Sequence, residues 1–162
     1  MPALRGRSVL LRPETPADAP ELAAIRTRPE VLRWWGPPDA PDDAIRYVVE
    51  LEDRVIGAIE YHEQRSPQHS WAGIDVYLDP EVHRRGLGTD AVRTLAVHLV
   101  RDRGHHRLTI DPSADNAVAI ACYRRVGFRP VGVLRRYETV WWEDGRRRDG
   151  LLMDLLAEEL VP

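Results

Sequence analysis

The segment from Trp71 to Asp111 constrains the architecture more than any other part of this chain. "WAGIDVYL" alternates, with Ala72, Ile74, Val76 and Leu78 on one face and Trp71, Gly73, Asp75 and Tyr77 on the other, the period-two pattern of a strand. After a Gly-x-Gly turn, Leu87, Ala91, Val92, Leu95, Ala96, Leu99 and Val100 recur at helical spacing, with Arg93, Thr94, Arg101 and Asp102 opposite and Gly104 as a stop. "RLTID" then reads as another strand. A helix with one apolar stripe between two strands packs on the sheet that holds them, which predicts a parallel crossover.

The flanking segments double back instead of crossing over. "SVLLRPE" reads as a first strand and "TPADAPELAAIRTRP" as a helix, with Thr15 as N-cap and Pro16 at the first helical position. A short helical segment ends at "RWWG", and the proline-rich "GPPDAPDD" (Gly36 to Asp43) reads as a surface loop. "AIRYVVEL" and "RVIGAIEYH" form a hairpin around Glu52-Asp53. "SADNAVAIACYRRVGF" is a second amphipathic helix, closed by Gly127 with Phe128 placed for a Schellman contact. Two long strands, "PVGVLRRYETVWW" and "RRDGLLMDLLAEEL", turn at Glu143-Asp144-Gly145. The expected fold is one α/β (α+β) domain over residues 1–162, a mixed, mostly antiparallel sheet of six to seven strands with flanking helices.

Composition removes several function classes. A net charge of −3 argues against a dedicated nucleic-acid binder and mildly favours cationic partners. Arg146–Arg148 and the Arg124-Arg125 pair read as solvated faces. Cys122 is the single cysteine, which excludes an intrachain disulfide, and among Ala, Val and Ile it reads as a small core residue. The first residues carry no apolar run long enough for a signal or a membrane span, so a cytoplasmic protein is expected. No metal is expected: His62-Glu63 lacks the second histidine of a zinc helix, with Ser66 in its place, and His105-His106 reads as a solvated junction.

"HRRGLGT", His83 to Thr89, is the most chemically suggestive stretch, and pattern alone admits several readings. A nucleotide P-loop is excluded, because no Lys-Ser or Lys-Thr follows the required glycine spacing. Gly86-Leu87-Gly88-Thr89-Asp90-Ala91 satisfies G-x-G-x-x-A, and Asp111 ends a strand about twenty residues on, as in dinucleotide folds. In those folds the first glycine follows its strand almost at once, whereas "DPEVHRR" intervenes here between Leu78 and Gly86. The remaining readings are an ordinary turn and a pyrophosphate site. In the latter, unpaired helix N–H groups meet the phosphates, Arg84 and Arg85 add charge, and glycines permit close approach.

The order of pieces resembles the GNAT superfamily of N-acetyltransferases, whose signature is Gln/Arg-x-x-Gly-x-Gly/Ala. Gly86 and Gly88 match it, His83 departs from it, and Asn116, Ala119, Tyr123, Gly127 and Phe128 match the downstream Asn-x-x-Ala-(x3)-Tyr and Gly-Phe. Within the superfamily the chain resembles aminoglycoside 6'-N-acetyltransferases through "RWWG", "GID", "RGLGT", "IDPSADN" and "CYRRVGF". The resemblance implies acetyl-CoA as acyl donor, held by Val76, Tyr77, Leu78, Arg84, Arg85, Gly86, Leu87, Gly88, Thr89, Asn116 and Tyr123. It further implies that Trp35 faces the sugar, Asp75 acts as general base, Asp111 holds a substrate ammonium and Tyr123 protonates the departing thiolate. The segment after Trp35 is shorter than in that subfamily, which removes part of an acceptor roof. Siderophore-acylating enzymes and an acetyltransferase acting on kasugamycin are similar over the same strings, which leaves the acceptor less defined than the donor.

The chemistry is consistent with these residue types. A thiol with pKa near 8.5 leaves readily, so a tyrosine acid is worth about ten- to a hundredfold. A solvated carboxylate with pKa around 4 is a weak base toward an ammonium, so Asp75 is either desolvated beside Trp71 and Tyr77 or an orienter of the cation. Two carboxylates and an indole face suit a polycationic sugar. The alternatives are another small amine, a siderophore precursor or a protein amine, and outside catalysis an acyl-CoA-binding module. Monomer and dimer are equally compatible with the sequence.

Overall fold

The computed structural model describes residues 1–36, 43–140 and 143–161. The predicted loop at Gly36 to Asp43 lies mostly outside these residues, as do Trp141 and Trp142 of the predicted strand end. Twelve strands and helices follow in chain order: β1 (Leu4–Arg5), β2 (Leu10–Pro13), α1 (Ala19–Arg26), α2 (Pro29–Trp35), β3 (Ile45–Leu51), β4 (Arg54–Arg65), β5 (Ser70–Leu78), α3 (Leu87–Arg101), β6 (Arg107–Ile110), α4 (Ala117–Val126), β7 (Arg129–Val140) and β8 (Arg146–Leu156). They build one eight-stranded sheet in the order β1-β2-β3-β4-β5-β6-β8-β7. All seven predicted strand segments are present. The eighth strand is the two-residue β1, too short to leave a periodic trace.

Every neighbouring pair is antiparallel except β5 and β6, which run parallel across the α3 crossover. Leu87, Ala91, Val92, Leu95, Ala96 and Leu99 of α3 are buried in the main core with Ala72, Ile74 and Leu78 of β5, as their periodicity requires. Each of the three α3 leucines contributes about 1.5–3 kcal/mol by leaving water. On the other side of the sheet Leu22 of α1 packs with Val48 and Ala58, so helices cover both faces.

Local signals explain most element ends. Glu52 and Asp53 turn the β3–β4 hairpin with φ of 48° and 62°, the paired left-handed geometry that matches strand twist. At the end of α4, the Gly127 N–H bonds to the Arg124 carbonyl and the Phe128 N–H to the Tyr123 carbonyl, the two bonds of a Schellman motif. The Tyr123 and Phe128 rings meet at 6.4 Å, completing it. The predicted first helix is broken: Thr15 and Asp18 form a capping box on a 3-10 turn at Pro16–Asp18, and α1 starts only after it. The second predicted helix starts later than Ser113, because residues 112–114 extend along β8. The Leu151 N–H bonds to the Pro112 carbonyl, and the Ala114 N–H bonds to the Asp149 carbonyl.

Two surface readings change in the structure. His105 is 2% exposed and not solvated; its Nε2 lies 2.8 Å from Glu63 Oε1, while its neighbour His106 stays exposed. Arg148 is not a solvated face either: it pairs with Glu138 at 2.6 Å, donates to the Arg33 carbonyl and lies over the Trp34 ring. It thereby holds the C-terminal end of α2 against β8, where helix carbonyls favour a cation. Arg146 and Arg147 are exposed as expected. Among the described residues no helix is long and apolar enough to cross a membrane.

Candidate active site

The parallel joint between β5 and β6 is short, and this brevity creates the site. Only Ala72 with Leu108 and Gly73 with Thr109 are paired; beyond them β5 continues to Leu78 while β6 ends at Ile110. Against β4 the ladder runs unbroken from Ser70 to Leu78. The Asp79 N–H bonds to the Ile56 carbonyl, which fixes the phase of that ladder: odd-numbered residues face β4, and the main-chain groups of Ile74, Val76 and Leu78 face the gap. The edge of β5 beyond Gly73 is therefore open, with the Val76 and Leu78 N–H groups pointing into the gap, whereas the main chain of Tyr77, also expected at the donor, is turned to β4.

Two side chains occupy carbonyls on this edge. Trp35 donates its indole N–H to the Val76 carbonyl at 3.1 Å, and His83 Nε2 lies 3.0 Å from the Leu78 carbonyl. A carbonyl can only accept, so His83 carries its proton on Nε2. That contact explains the departure at His83: its side chain ties the Pro80–Val82 turn back to the end of β5, just before the glycine turn.

The turn leads into α3 with Gly86 as N-cap at φ 74° and Arg84 also at positive φ, 63°. The first main-chain bond of the helix runs from the Asp90 N–H to the Gly86 carbonyl, so the amides of Leu87, Gly88 and Thr89 precede the helical ladder. The two glycines serve different ends. A side chain at Gly86 meets nothing within 4 Å but would be strained by the backbone angle. A methyl at Gly88 would sit at ordinary contact, 3.6 Å from Cys122 Sγ and 3.7 Å from Leu78 Cδ1, so the protein itself does not demand glycine there. Arg84 and Arg85 are exposed beside this turn.

Asp90, which sequence reasoning did not single out, anchors the whole segment. Buried to 6% exposure, its carboxylate accepts from the backbone N–H groups of Arg7 at 2.9 Å, Ser8 at 2.7 Å and Val9 at 3.0 Å. The turn between β1 and β2 is thus wrapped around the first turn of α3. An acid at a helix start is a familiar sequence signal, but nothing local reveals this remote partner.

From α4 come Asn116, Cys122 and Tyr123. Asn116 caps the helix, its Oδ1 accepting from the Ala119 N–H at 3.2 Å, which leaves the side-chain amide as its donor. Cys122 shares a hydrogen bond with Thr89 Oγ1 at 3.2 Å, and burial pushes its thiol up, the reverse of an activated nucleophile. Tyr123 is buried, and its phenol is pushed far above the ordinary value by desolvation first and then by Cys122, Asp75 and Asp111. Its proton is therefore held at every pH at which the protein would work.

A second group of side chains gathers around those two carboxylates. Asp75 is half-buried on β5, on the face it shares with Tyr77. Tyr77 meets Trp35 edge-on at 5.0 Å, and the Arg26 guanidinium lies over both rings, at 4.8 Å and 5.3 Å. The Trp35 ring is thus already engaged by Tyr77 and Arg26 and is only partly exposed. Asp111, half-buried just past β6, accepts a hydrogen bond at 2.5 Å from the hydroxyl of Tyr137. Tyr137 was not among the residues anticipated from sequence, since nothing around it in the chain marks a site. Among the described residues no group of three or more His, Cys, Asp or Glu could hold a metal ion.

Over 154 residues the chain is 27% identical to aminoglycoside N(6')-acetyltransferase type 1 of Klebsiella pneumoniae, covering 78% of this chain and 77% of that one. Over 84 residues it is 36% identical to the ribosomal protein bS18-alanine N-acetyltransferase of Escherichia coli K12, covering 50% of this chain and 52% of the other. RimJ of Mycobacterium smegmatis, solved in complex with CoA-disulfide, superposes with a TM-score of 0.84 at 25% identity, over 99% of this chain and 88% of its own. Residues 10–128 match the acetyltransferase (GNAT) family.

Proposed function

The chain belongs to the acetyltransferase (GNAT) family, and from that premise we propose that it moves the acetyl group of acetyl-CoA directly onto an amine, with the 6'-amino group of an aminoglycoside as the favoured acceptor. The observation that carries the reading is the continuity of main-chain donors. The open edge of β5 runs toward the first turn of α3, giving one track for a pantetheine arm and the pyrophosphate beyond it.

In this reading the amides of Leu87, Gly88 and Thr89 and the guanidinium groups of Arg84 and Arg85 take the phosphates. The Val76 and Leu78 N–H groups take the thioester carbonyl oxygen, where charge develops in the transition state. The room at Gly88 is filled by the donor rather than by a side chain. The amine gives up a proton toward Asp75, its lone pair forms the C–N bond, and the C–S bond breaks as Tyr123 protonates the departing thiolate. Asp111 holds an ammonium of the acceptor, and the exposed part of Trp35 lies against its ring. Cys122, with its thiol pushed up, forms no acyl intermediate.

The aminoglycoside is favoured by the acidic pair and by the Klebsiella pneumoniae relative, which matches 78% of the chain. A second acceptor, the N-terminal amine of a ribosomal protein, is supported by the E. coli relative and by the exposed Val131 and Val133 on the edge strand β7, which suit a peptide. Thiol release from acetyl-CoA, measured against aminoglycosides, polyamines and alanine-terminated peptides, separates the two. Turnover with aminoglycosides alone supports the first reading, peptides alone replace it with the second, and silence with every amine leaves a binding module. Asp75→Asn is expected to lose more acceptor-dependent turnover than Tyr123→Phe, and full activity in it would remove Asp75 from the mechanism.

A further inference from the structure

We infer that Tyr137 is a positioning residue for acceptor recognition: its ring crosses β8 over Gly150, and its hydroxyl fixes the Asp111 carboxylate in the orientation that receives the substrate ammonium. The inference rests on the reading of this site as an amine acetyltransferase.

The strand order is β6-β8-β7, so Asp111 at the end of β6 and Tyr137 on β7 have β8 between them. Two strand spacings amount to about 10 Å, which a tyrosine and an aspartate bridge only if the ring lies flat across the intervening strand. At the crossing point β8 carries Gly150. A Cβ there would fall 2.8 Å from Tyr137 Cδ1 and 3.4 Å from its Cγ, closer than the ring tolerates without moving. The backbone at Gly150 is not in the left-handed region, so the ring, not the main chain, requires glycine.

The backbone also aims the ring. The β7–β8 register shifts between Leu134 and Glu138, with Arg136 at φ 50° and its N–H bonded to Asp149 Oδ1 at 2.7 Å. Such a bulge re-aims the side chain beside it. The phenol then donates to Oδ2 of Asp111 and leaves Oδ1 for a cation. Tyr137 is 49% exposed, so this linkage adds little to the core. A phenol bonded to an ionised carboxylate narrows the directions from which that carboxylate can accept, which is a requirement of recognition.

The test compares Tyr137→Phe, which keeps the ring over Gly150 and deletes the hydroxyl, with Gly150→Ala, which keeps the hydroxyl and displaces the ring. For the amine turned over best by the wild type, both variants should raise KM about five- to tenfold, the size of losing one hydrogen bond to a charged group. The KM for acetyl-CoA and the thermal midpoint should stay put, and kcat should change less than the amine KM. The double variant should be no worse than either single one, because both break the same linkage. An amine KM within twofold of wild type in an active Tyr137→Phe overturns the assignment while leaving the acetyltransferase reading intact. Absence of thiol release by the wild type with every amine overturns that reading and this inference together.

Discussion

The edge of β5 and the first turn of α3 offer main-chain N–H groups, whereas the surface around Asp75 and Asp111 offers side chains from α2, β5, the end of β6 and β7. The first region is one continuous stretch of chain, from Ile74 through Thr89. The second is assembled from residues more than a hundred positions apart. Main-chain donors persist through side-chain substitution as long as the backbone path is kept, so the donor region constrains few residues tightly. Side-chain recognition is the opposite: each contact depends on residue identity and cross-strand register. On the proposed reading, a chain built this way can hold its donor site constant while its acceptor site is respecified by a few substitutions.

Acid should break the comparison most completely, by removing the scaffold beneath both regions. Asp18 is held well below the usual carboxylate range by hydrogen bonds from Arg12, and Glu63 by Arg103 first and then by Arg65 and His105. Both are depressed on folding, so the unfolded chain binds more protons; their stabilisation is complete above the ordinary carboxylate value and is lost as pH falls below about 4. Thermal midpoints followed from pH 7 to pH 3 should drop with the steepest loss below that value, and donor binding and turnover should fail together.

Asp90→Ala should separate the regions on the donor side. It strands three buried or half-buried backbone amides and should cost about 3 kcal/mol or more, measured by denaturant unfolding. The surviving folded protein should bind acetyl-CoA less well, while amine KM, once donor is saturating, should hardly move. Equal losses on both sides would show that α3 and the acceptor surface are coupled after all.

Tyr123→Phe acts where the regions meet and should lower kcat about ten- to a hundredfold with little change in acetyl-CoA affinity. Because its proton is bound so firmly, the wild-type rate should show no alkaline limb from this group within the working range. Gly88→Ala should have the smallest effect. The methyl has room, so the thermal midpoint should stay within a degree or two, while the KM for acetyl-CoA rises about three- to tenfold. An unchanged KM there would argue that no phosphate approaches that backbone.

What the sequence disclosed divides along the same line. The β5 alternation, the α3 stripe, the Glu52-Asp53 turn and the Schellman end at Gly127 were legible because each is a local pattern whose physics closes within a few residues. The open edge of β5 and the start of α3, on which the proposed donor region rests, lie within those patterns. Tyr137 and Gly150 were not legible, since their relation exists only through a bulge and a strand order that brings β7 and β6 to either side of β8. Asp90 and His105 hid for the same reason: their partners lie about eighty and forty positions away. His83 lay between these cases, its partner being five residues back, within reach of local reasoning but visible only once the turn was drawn.

The two-pair joint between β5 and β6 has a consequence for how such a chain assembles. In the strand order it alone connects β1 through β5 to β6, β8 and β7. Strands β2 to β5 form by successive pairing of sequence neighbours, and β7 with β8 forms one hairpin, so each side can gain order through short loops. The joint between them has only two residue pairs of ladder, so its closure is expected to depend on the packing of α3 against β5 and α4. Amide exchange at Leu108 and Thr109 would then report the docking of two sub-assemblies, and the narrow seam would be at once the last part to close and the first to breathe.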